Sequence, residues 1–579
     1  MMGNDIFDER PKANEKKRAL AYIGKLLDDA RNDKNKNQSD IVELEEVQRL
    51  LNSKRYGLVW EEHAEKVEEE MNTKIPIFVE DKSKKINDDL DNINYNFILE
   101  GDNLHSLHLL EKTHANSIDI IYIDPPYNTG NNDFKYNDTF VGADDEFKHS
   151  KWLSFMNSRL TLAKRLLNSE GIIFLSIGDD EQAELTMLVD EIFGRQNRLA
   201  VIPRIAKRTS DKGNQFRPTK DYVLAYAVDV FKQPEFKILK KFNINDYNKI
   251  EKGTGRKYKK SGASLYQPSL DSRPNQRYFI QAPDGSFIIP PGETMPLENK
   301  DGAKVLPLKT DGVWRWSEAS YQKQKEQLIF TKATNRSPLI DENGNKSKWN
   351  IYPKVYADNE DGATKHPEDV IYDFVNSQGT KEVNKLNLSF SFSKPVGLIK
   401  YLINIIDKPN TVTVLDFFAG SGTTGQAITE LNAEDGGHRK FILATNNENN
   451  IAEEVTYVRM KNVSSGTDKY EAHPMNLKYF KTAFVSKDDE DIENELLDNV
   501  KTLVELQWGV DLSNSSIRIV TTLAEAGSIE LKGLTKVYMR AQVHSMLTQE
   551  QVTKYNQTGV IIYDIPENYF SKELREQGL

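Results

Sequence analysis

From residue 96 the chain alternates short apolar runs with amphipathic stretches, loses that rhythm near residue 230 and recovers it near residue 394. Strands separated by helices form a sheet covered on both faces, so the alternation requires a largely parallel α/β layer. Its interruption requires that the layer be assembled from two separate stretches of chain. In the first stretch the spacing predicts a strand over 96–100, a helix over 104–112 and a buried strand over 117–123 that ends at a Pro-Pro turn. A helix over 151–168, a strand over 172–177 and a helix over 181–193 follow. In the second stretch a helix runs from 394 to about 406, a strand over 411–415 meets a Gly-rich turn, and a helix to about 432 leads to a strand over 441–445. Residues 230–385 are rich in Lys, Asn, Gly, Pro and Tyr and read as a separate inserted domain. Residues 1–95 read as helical, with periodic segments at 19–30 and 41–51 around a polar break. At 579 residues the chain exceeds the roughly 250–300 that a single core supports. Five regions result: 1–95, 96–229, 230–385, 386–480 and an initially acidic 481–579 with a helical apolar face over 492–507.

Composition narrows the chemistry. There is no cysteine, which removes disulfides, thiolate metal sites and a thiolate nucleophile, and no metal ligand set stands out. No run approaches the ~18 apolar residues that span a bilayer, so no membrane association is expected. The first residues lack the apolar core of a secretory signal, and a cytoplasmic protein is expected. The net charge of −11 argues against a generic nucleic-acid coat, yet residues 201–280 hold 18 Lys/Arg against 7 Asp/Glu. That basic stretch is interleaved with Tyr222, Phe242, Tyr247, Tyr258, Tyr266 and Tyr278. It is either a solvated surface or a nucleic-acid contact.

The sharpest motif is Asp124-Pro125-Pro126-Tyr127, at the end of the strand over 117–123. In open α/β sheets ligands bind beyond the carboxyl ends of strands. Two prolines remove two backbone donors and fix two φ angles, which leaves carbonyl oxygens, a carboxylate and an aromatic face. Such a surface suits a planar group that donates hydrogen bonds, as the exocyclic amine of a nucleobase does. Asp124 and the Pro125 carbonyl would each accept an amine hydrogen while Tyr127 stacks on the ring.

The second motif, Asp416-Phe417-Phe418-Ala419-Gly420-Ser421-Gly422-Thr423-Thr424-Gly425, lies between a strand and a helix. Gly420, Gly422 and Gly425 satisfy G-x-G-x-x-G, and Glu448 follows the next strand, where an acidic residue meets ribose hydroxyls. Alone the pattern suits several nucleoside cofactors. Asp416 directly after the strand and Thr423-Thr424 in the turn tilt it away from NAD, and beside Asp-Pro-Pro-Tyr the better fit is S-adenosylmethionine.

Together the two motifs resemble the amino-methyltransferases of DNA, in the β-class order with Asp-Pro-Pro-Tyr first and a large insert between. Leu99-Glu-Gly-Asp-Asn103, Tyr122–Gly130, Phe392-Ser-Lys-Pro395 and Leu443-Ala-Thr-Asn-Asn-Glu448 look more closely like modification (Mod) subunits of type III restriction–modification systems. The likeness covers about residues 55–510. It implies a Rossmann-like S-adenosylmethionine-dependent methyltransferase core interrupted by an inserted target-recognition domain, and an adenine target in double-stranded DNA. It also implies a homodimer and assembly with a restriction (Res) subunit that carries helicase and nuclease activity, with residues 481–579 as the dimer or partner region.

By this resemblance Asp124–Tyr127 form the catalytic pocket, with Asp124 also beside the cofactor. Phe418, Ala419, Gly420, Ser421, Gly422, Thr423 and Thr424 lie on the cofactor's methionine side, Asp416 is a further cofactor contact, and Glu448 lies near the ribose. Asp102, with Asn103, falls near its adenine edge, although an Asp at a strand end is also an ordinary helix N-cap. Lys394 falls in the family's Lys-Pro motif beside the cofactor; a Lys before Pro at a helix start can equally be solvated. Arg204, Lys207, Arg208, Lys257, Lys259 and Lys260 are the candidate phosphate contacts. Trp314-Arg315-Trp316 reads as a buried aromatic pair or as a DNA wedge.

Carbon methylation of cytosine normally needs a thiolate, which leaves the amines of adenine or cytosine, and Asp at the first motif position resembles the adenine enzymes. A paired base is buried in the duplex, so the target must be flipped out. Alternatives stay open: a solitary adenine or N4-cytosine methyltransferase, a non-catalytic DNA-binding subunit, or an NAD-type oxidoreductase that would leave Asp-Pro-Pro-Tyr unexplained.

Overall fold

The computed structural model describes residues 22–27, 30–31, 41, 44, 60–89, 94–131, 133–208, 215–240, 242–268, 275–334, 337–360, 362–406, 408, 410–492, 495–496, 499–565 and 569–570. Of the helical segment expected at 19–30, residues 22–27 and 30 are described and helical, while the one expected at 41–51 lies largely outside the described residues. Two compact units form, residues 1–234 with 368–579 and residues 235–367. The smaller unit is narrower than the insert of 230–385 because the helix Asn376–Lys385 folds with the larger one.

The larger unit is built on a ten-stranded sheet. Its strands in chain order are β1 (Lys74–Glu80), β2 (Ile86–Asn87), β3 (Asn96–Glu100), β4 (Ile118–Ile123), β5 (Leu167–Ile177), β6 (Arg198–Ile205), β7 (Lys220–Ala227), β8 (Thr413–Asp416), β9 (Lys440–Thr445) and β10 (Asn476–Ser486). Across the sheet the order is β1-β10-β3-β9-β8-β4-β5-β7-β6, with β2 also on β10. The run from β10 to β5 is parallel, and both flanks are antiparallel. The centre is close to uniformly apolar, with Ile98, Leu99, Ile121, Ile173, Val414, Leu415 and Leu443 fully buried, as a strand covered on both faces must be. The helices α1 (Asn103–His114), α2 (Lys148–Leu166), α3 (Gln182–Val189), α4 (Val396–Asn404) and α5 (Thr423–Asp435) join the strands in the two stretches where the sequence alternates.

Three features depart from the expected layout. Residues 74–80 and 86–87 are strands, not helix: β1 and β2 pair with β10 and extend the core sheet. Pro76 lies in β1, an edge strand, where a missing donor costs no ladder bond. The helical face expected over 492–507 forms as α6 (Val500–Trp508), but its Leu503, Val504 and Leu506 join the main core instead of a separate C-terminal region. Beyond it, Ile517–Val520, Lys536–Arg540 and Ile561–Ile565 form a parallel three-stranded sheet with its own apolar cluster.

The smaller unit consists of short antiparallel sheets, the largest formed by Lys249–Ile250, Lys257–Lys260, Trp349–Tyr356 and Leu328–Lys332. Trp314 is fully buried there among Leu265, Tyr278 and Tyr321, and its indole N–H donates to the Tyr278 carbonyl at 2.8 Å. Trp316, half-buried, packs against the same cluster.

Candidate active site

The central strands place the sequence motifs together. β4 and β8 are direct parallel neighbours, with Val414 opposite Ile120 and Leu415 opposite Ile121. Asp124-Pro-Pro-Tyr and the glycine turn therefore leave the same sheet edge side by side. β9 and β3, next in order, deliver Glu448 and Asp102-Asn103 to the same edge.

The Pro-Pro turn is pinned from below: the Trp152 indole of α2 donates to the Pro126 carbonyl at 2.8 Å. Asn128, next after Tyr127, has a left-handed φ of 55° and is buried. Its amide donates at 2.5 Å to Glu181 Oε1, which His149 Nδ1 also meets at 2.7 Å. Burial pushes the Glu181 carboxyl up to about 8, against the opposing bond from Asn128. Gly178, just past β5, allows the Tyr127 ring its place: a Cβ there would lie 2.7 Å from Tyr127 Cδ2. The Tyr127 hydroxyl is buried with no hydrogen-bond partner among the described residues, and burial, then the charge on Asp124, pushes it well above the ordinary tyrosine range.

Lys394, just ahead of α4, is the nearest partner of the Asp124 carboxylate. Its Nζ donates to Asp124 Oδ1 at 2.7 Å and Oδ2 at 2.6 Å and stands 4.9 Å from the centre of the Tyr127 ring. The solvated reading of this lysine is wrong, because the side chain is buried against Asp124 and Tyr127.

In the glycine turn, Gly420 and Gly422 take φ of 49° and 79°, a region that L side chains avoid. A Cβ at Gly420 would meet only the Phe418 carbonyl oxygen, at 3.9 Å, so the turn is open there, whereas Gly425 is packed on Met460 Sδ. The polar side chains of the turn face inward. Asp416 accepts from Thr424 Oγ1 at 2.5 Å and from the Phe418 N–H at 3.1 Å, and burial pushes its carboxyl up to about 7. Ser421 and Thr423 gather with Ser393 around Arg459, whose Nη1 donates to Ser421 Oγ at 2.7 Å and Thr423 Oγ1 at 3.0 Å. Burial lowers Arg459 to about 10. What Asp416, Ser421, Thr423 and Thr424 offer a ligand is therefore the shape of the backbone, and Ala419 adds to it by donating to the Ala444 carbonyl at 3.1 Å.

Asp102 does cap α1, accepting from the Leu104 N–H at 2.8 Å, and Arg159 reaches it at 3.2 Å. Asn103 bridges inward, accepting from Arg159 Nε at 2.6 Å and donating to the Phe417 carbonyl at 2.8 Å. Glu448 is half-exposed and ion-paired with Lys135 at 2.7 Å. An open glycine turn, a half-buried Phe418 and the partly exposed carboxylates of Asp102 and Glu448 at one sheet edge fit a cationic nucleoside cofactor.

One candidate phosphate contact is contradicted. Arg204 is fully buried, forked onto Asp221, with Nη1 donating to the Phe374 carbonyl at 2.7 Å and Nη2 to Asn376 Oδ1 at 2.8 Å. It cannot meet DNA. Lys207 and Arg208 are exposed beyond β6; Lys257 and Lys260 are exposed and Lys259 is half-buried on a strand of the smaller unit. Gly178, Glu181, Ser393 and Arg459 were not legible as site residues, since each acts through a partner distant in sequence.

A DNA methylase family model matches residues 118–472, more than half of the chain. The type II methyltransferase M.KpnI of Klebsiella pneumoniae is 32% identical over 365 residues, 60% of this chain and 79% of that one. The EcoPI Mod subunit of Escherichia phage P1 is 30% identical over 407 residues and the StyLTI Mod subunit of Salmonella typhimurium 31% over 409, each match taking in 64% of this chain. The aligned region spans 60% and 56% of the length of those two Mod subunits. With Asp-Pro-Pro-Tyr and the glycine turn on neighbouring strands inside the matched region, the chain belongs to the N6/N4 DNA methylase family.

Proposed function

We propose that this protein methylates the exocyclic N6 amine of an adenine flipped out of double-stranded DNA, using S-adenosylmethionine, as the modification subunit of a type III restriction–modification system. The observation that carries the reading is the pairing of β4 with β8, which sets the Asp124 carboxylate and the Tyr127 face beside the open glycine turn. The cofactor supplies an electrophilic methyl group on a sulfonium. The protein's part is to hold the amine. Its lone pair is delocalised into the ring, and acceptor bonds from Asp124 and the Pro125 carbonyl strengthen as positive charge develops on nitrogen. Tyr127 stacks on the base, and the Trp152 bond to Pro126 fixes the turn that carries all three. The unit at 235–367 reads the DNA sequence, with one face of the Lys257–Lys260 strand, and Lys207 and Arg208 of the larger unit, on phosphates. The protein works in the cytoplasm, as a homodimer and with a restriction subunit.

Sequencing modified bases in DNA from cells expressing this chain tests the reading. N6-methyladenine at one short sequence is expected. N4-methylcytosine there would change the target, and unmodified DNA would sink the proposal. A second reading, a solitary methyltransferase, is favoured by one observation: the match spans more of M.KpnI, 79%, than of either Mod subunit. Co-expression with a restriction subunit separates the two by whether a complex is recovered.

A further inference from the structure

Lys394 stands where the target amine is expected to stand. Its ammonium takes both oxygens of Asp124, at 2.7 and 2.6 Å, and lies 4.9 Å from the Tyr127 ring centre, which are the two partners proposed for the base. The pair is sheltered, with 9% of the lysine side chain and 25% of the aspartate exposed. A neutral aromatic amine is a weaker donor than an ammonium and cannot share the ring face with it. The lysine backbone, by contrast, is held in place. Ser393 Oγ meets Ser421 Oγ at 3.1 Å and Thr423 Oγ1 at 3.2 Å, Pro395 follows, and the Val396 N–H donates to Glu382 at 2.8 Å. Only the flexible four-carbon stem is left to move.

We propose that Lys394 is a placeholder for the target amine: its ammonium occupies Asp124 and the Tyr127 face until a flipped base displaces it. This rests on the methyl-transfer reading and adds a specificity device to it. A base delivered by a correct recognition sequence brings enough binding energy to expel the ammonium; a base flipped at a near-match does not. Lys394 thus acts against wrong sites by raising the threshold for base capture.

The test first maps the sequence methylated by the wild-type protein. Absence of any methylation would refute the functional reading itself, before the lysine is in question. A duplex of the mapped sequence then carries 2-aminopurine beside the target adenine, so that fluorescence reports the adenine leaving the stack. In K394M the protein concentration for half-maximal signal is expected to fall about tenfold, the change that removing roughly 1.4 kcal/mol of competition produces. At protein concentrations that already flip the mapped sequence fully, methylation of near-match duplexes should rise relative to it. K394R, which keeps the cation and can fork onto both oxygens, should flip no more readily than wild type. A lysine that merely props Asp124 predicts the reverse, weaker flipping in K394M and unchanged site preference, and either result overturns the proposal. Melting temperature and S-adenosylhomocysteine binding check each variant's fold; if K394M does not fold, K394Q removes the charge with a polar side chain and is held to the same outcomes.

Discussion

At the residue scale the proposed chemistry separates Asp124 and Tyr127, on the base, from the groups that hold them in place. Asp124→Ala is expected to lower single-turnover methyl transfer by about 100- to 1,000-fold, the usual loss for one preorganised partner of a developing charge. DNA and S-adenosylhomocysteine binding should stay near wild type, and near-normal turnover would remove Asp124 from the reaction. Glu181 is a holding group with a pH signature. Its carboxyl is pushed by burial from 4.5 to about 8, so the native state keeps a proton that the unfolded chain releases. Stability is then full below about 4.5 and is lost as pH rises through about 8. Glu181→Gln keeps the uncharged form at every pH, so its melting temperature should gain on wild type as pH is raised across that window. Parallel melting curves for the two proteins would contradict this. Arg204 shows what composition hides: a positive charge counts alike in a sequence whether it is solvated or buried. Arg204→Ala strips Asp221 of its partner and should cost on the order of 3–5 kcal/mol by denaturant unfolding. It should leave the salt dependence of DNA binding unchanged.

At the scale of elements, legibility followed locality. The strands β4 and β8 were readable because each is a short apolar run that stops at residues with unusual backbone demands, Pro125-Pro126 and Gly420–Gly422. β1 and β10 were not, because their identity as strands lies in the pairing of Lys74–Glu80 with residues 480–486, some four hundred positions away. The Lys257–Lys260 strand lies between. Its basic character was visible, but its geometry divides the lysines: with side chains alternating, Lys257 and Lys259 face one side and Lys260 the other. Lys259 lies over Tyr247 at 4.3 Å and Lys260 over Tyr352 at 4.1 Å. One DNA backbone can meet only one of these faces. If it is the Lys257 face, K257Q/K259Q should flatten the slope of log K against log salt by about 1.8, at roughly 0.9 per phosphate contact, and K260Q should leave it alone. A slope unmoved by either variant would make the strand a solvated surface.

At the scale of the whole molecule, the question is whether recognition and chemistry can be exchanged separately, and the junctions decide it. The chain leaves the larger unit through a segment tied down locally: the Val230 N–H donates to Asn197 at 3.1 Å and Gln233 Nε2 to the Glu170 carbonyl at 3.1 Å. It returns through residues 371–376, where Ile371 N–H donates to the Pro203 carbonyl at 2.9 Å and Arg204 holds Phe374 and Asn376. The helix that follows belongs to the same unit, since Glu382 caps α4 at Val396 and the Leu386 carbonyl accepts from Asn462 at 2.8 Å. Replacing residues 235–367 with the corresponding unit of a related enzyme should therefore give a folded protein that still methylates the same atom but at a different DNA sequence. Replacing 230–385, the boundaries that composition suggested, removes two of the Arg204 partners, the Phe374 carbonyl and Asn376, together with the Glu382 cap, and should unfold or strongly destabilise the larger unit. Melting curves of the two chimeras compare the junctions, and mapping methylated sites for the folded one tests recognition. A 235–367 chimera that folds, binds S-adenosylhomocysteine and still methylates the original sequence would place recognition outside that unit. The exposed Lys207 and Arg208 beyond β6 would then be the first positions to substitute.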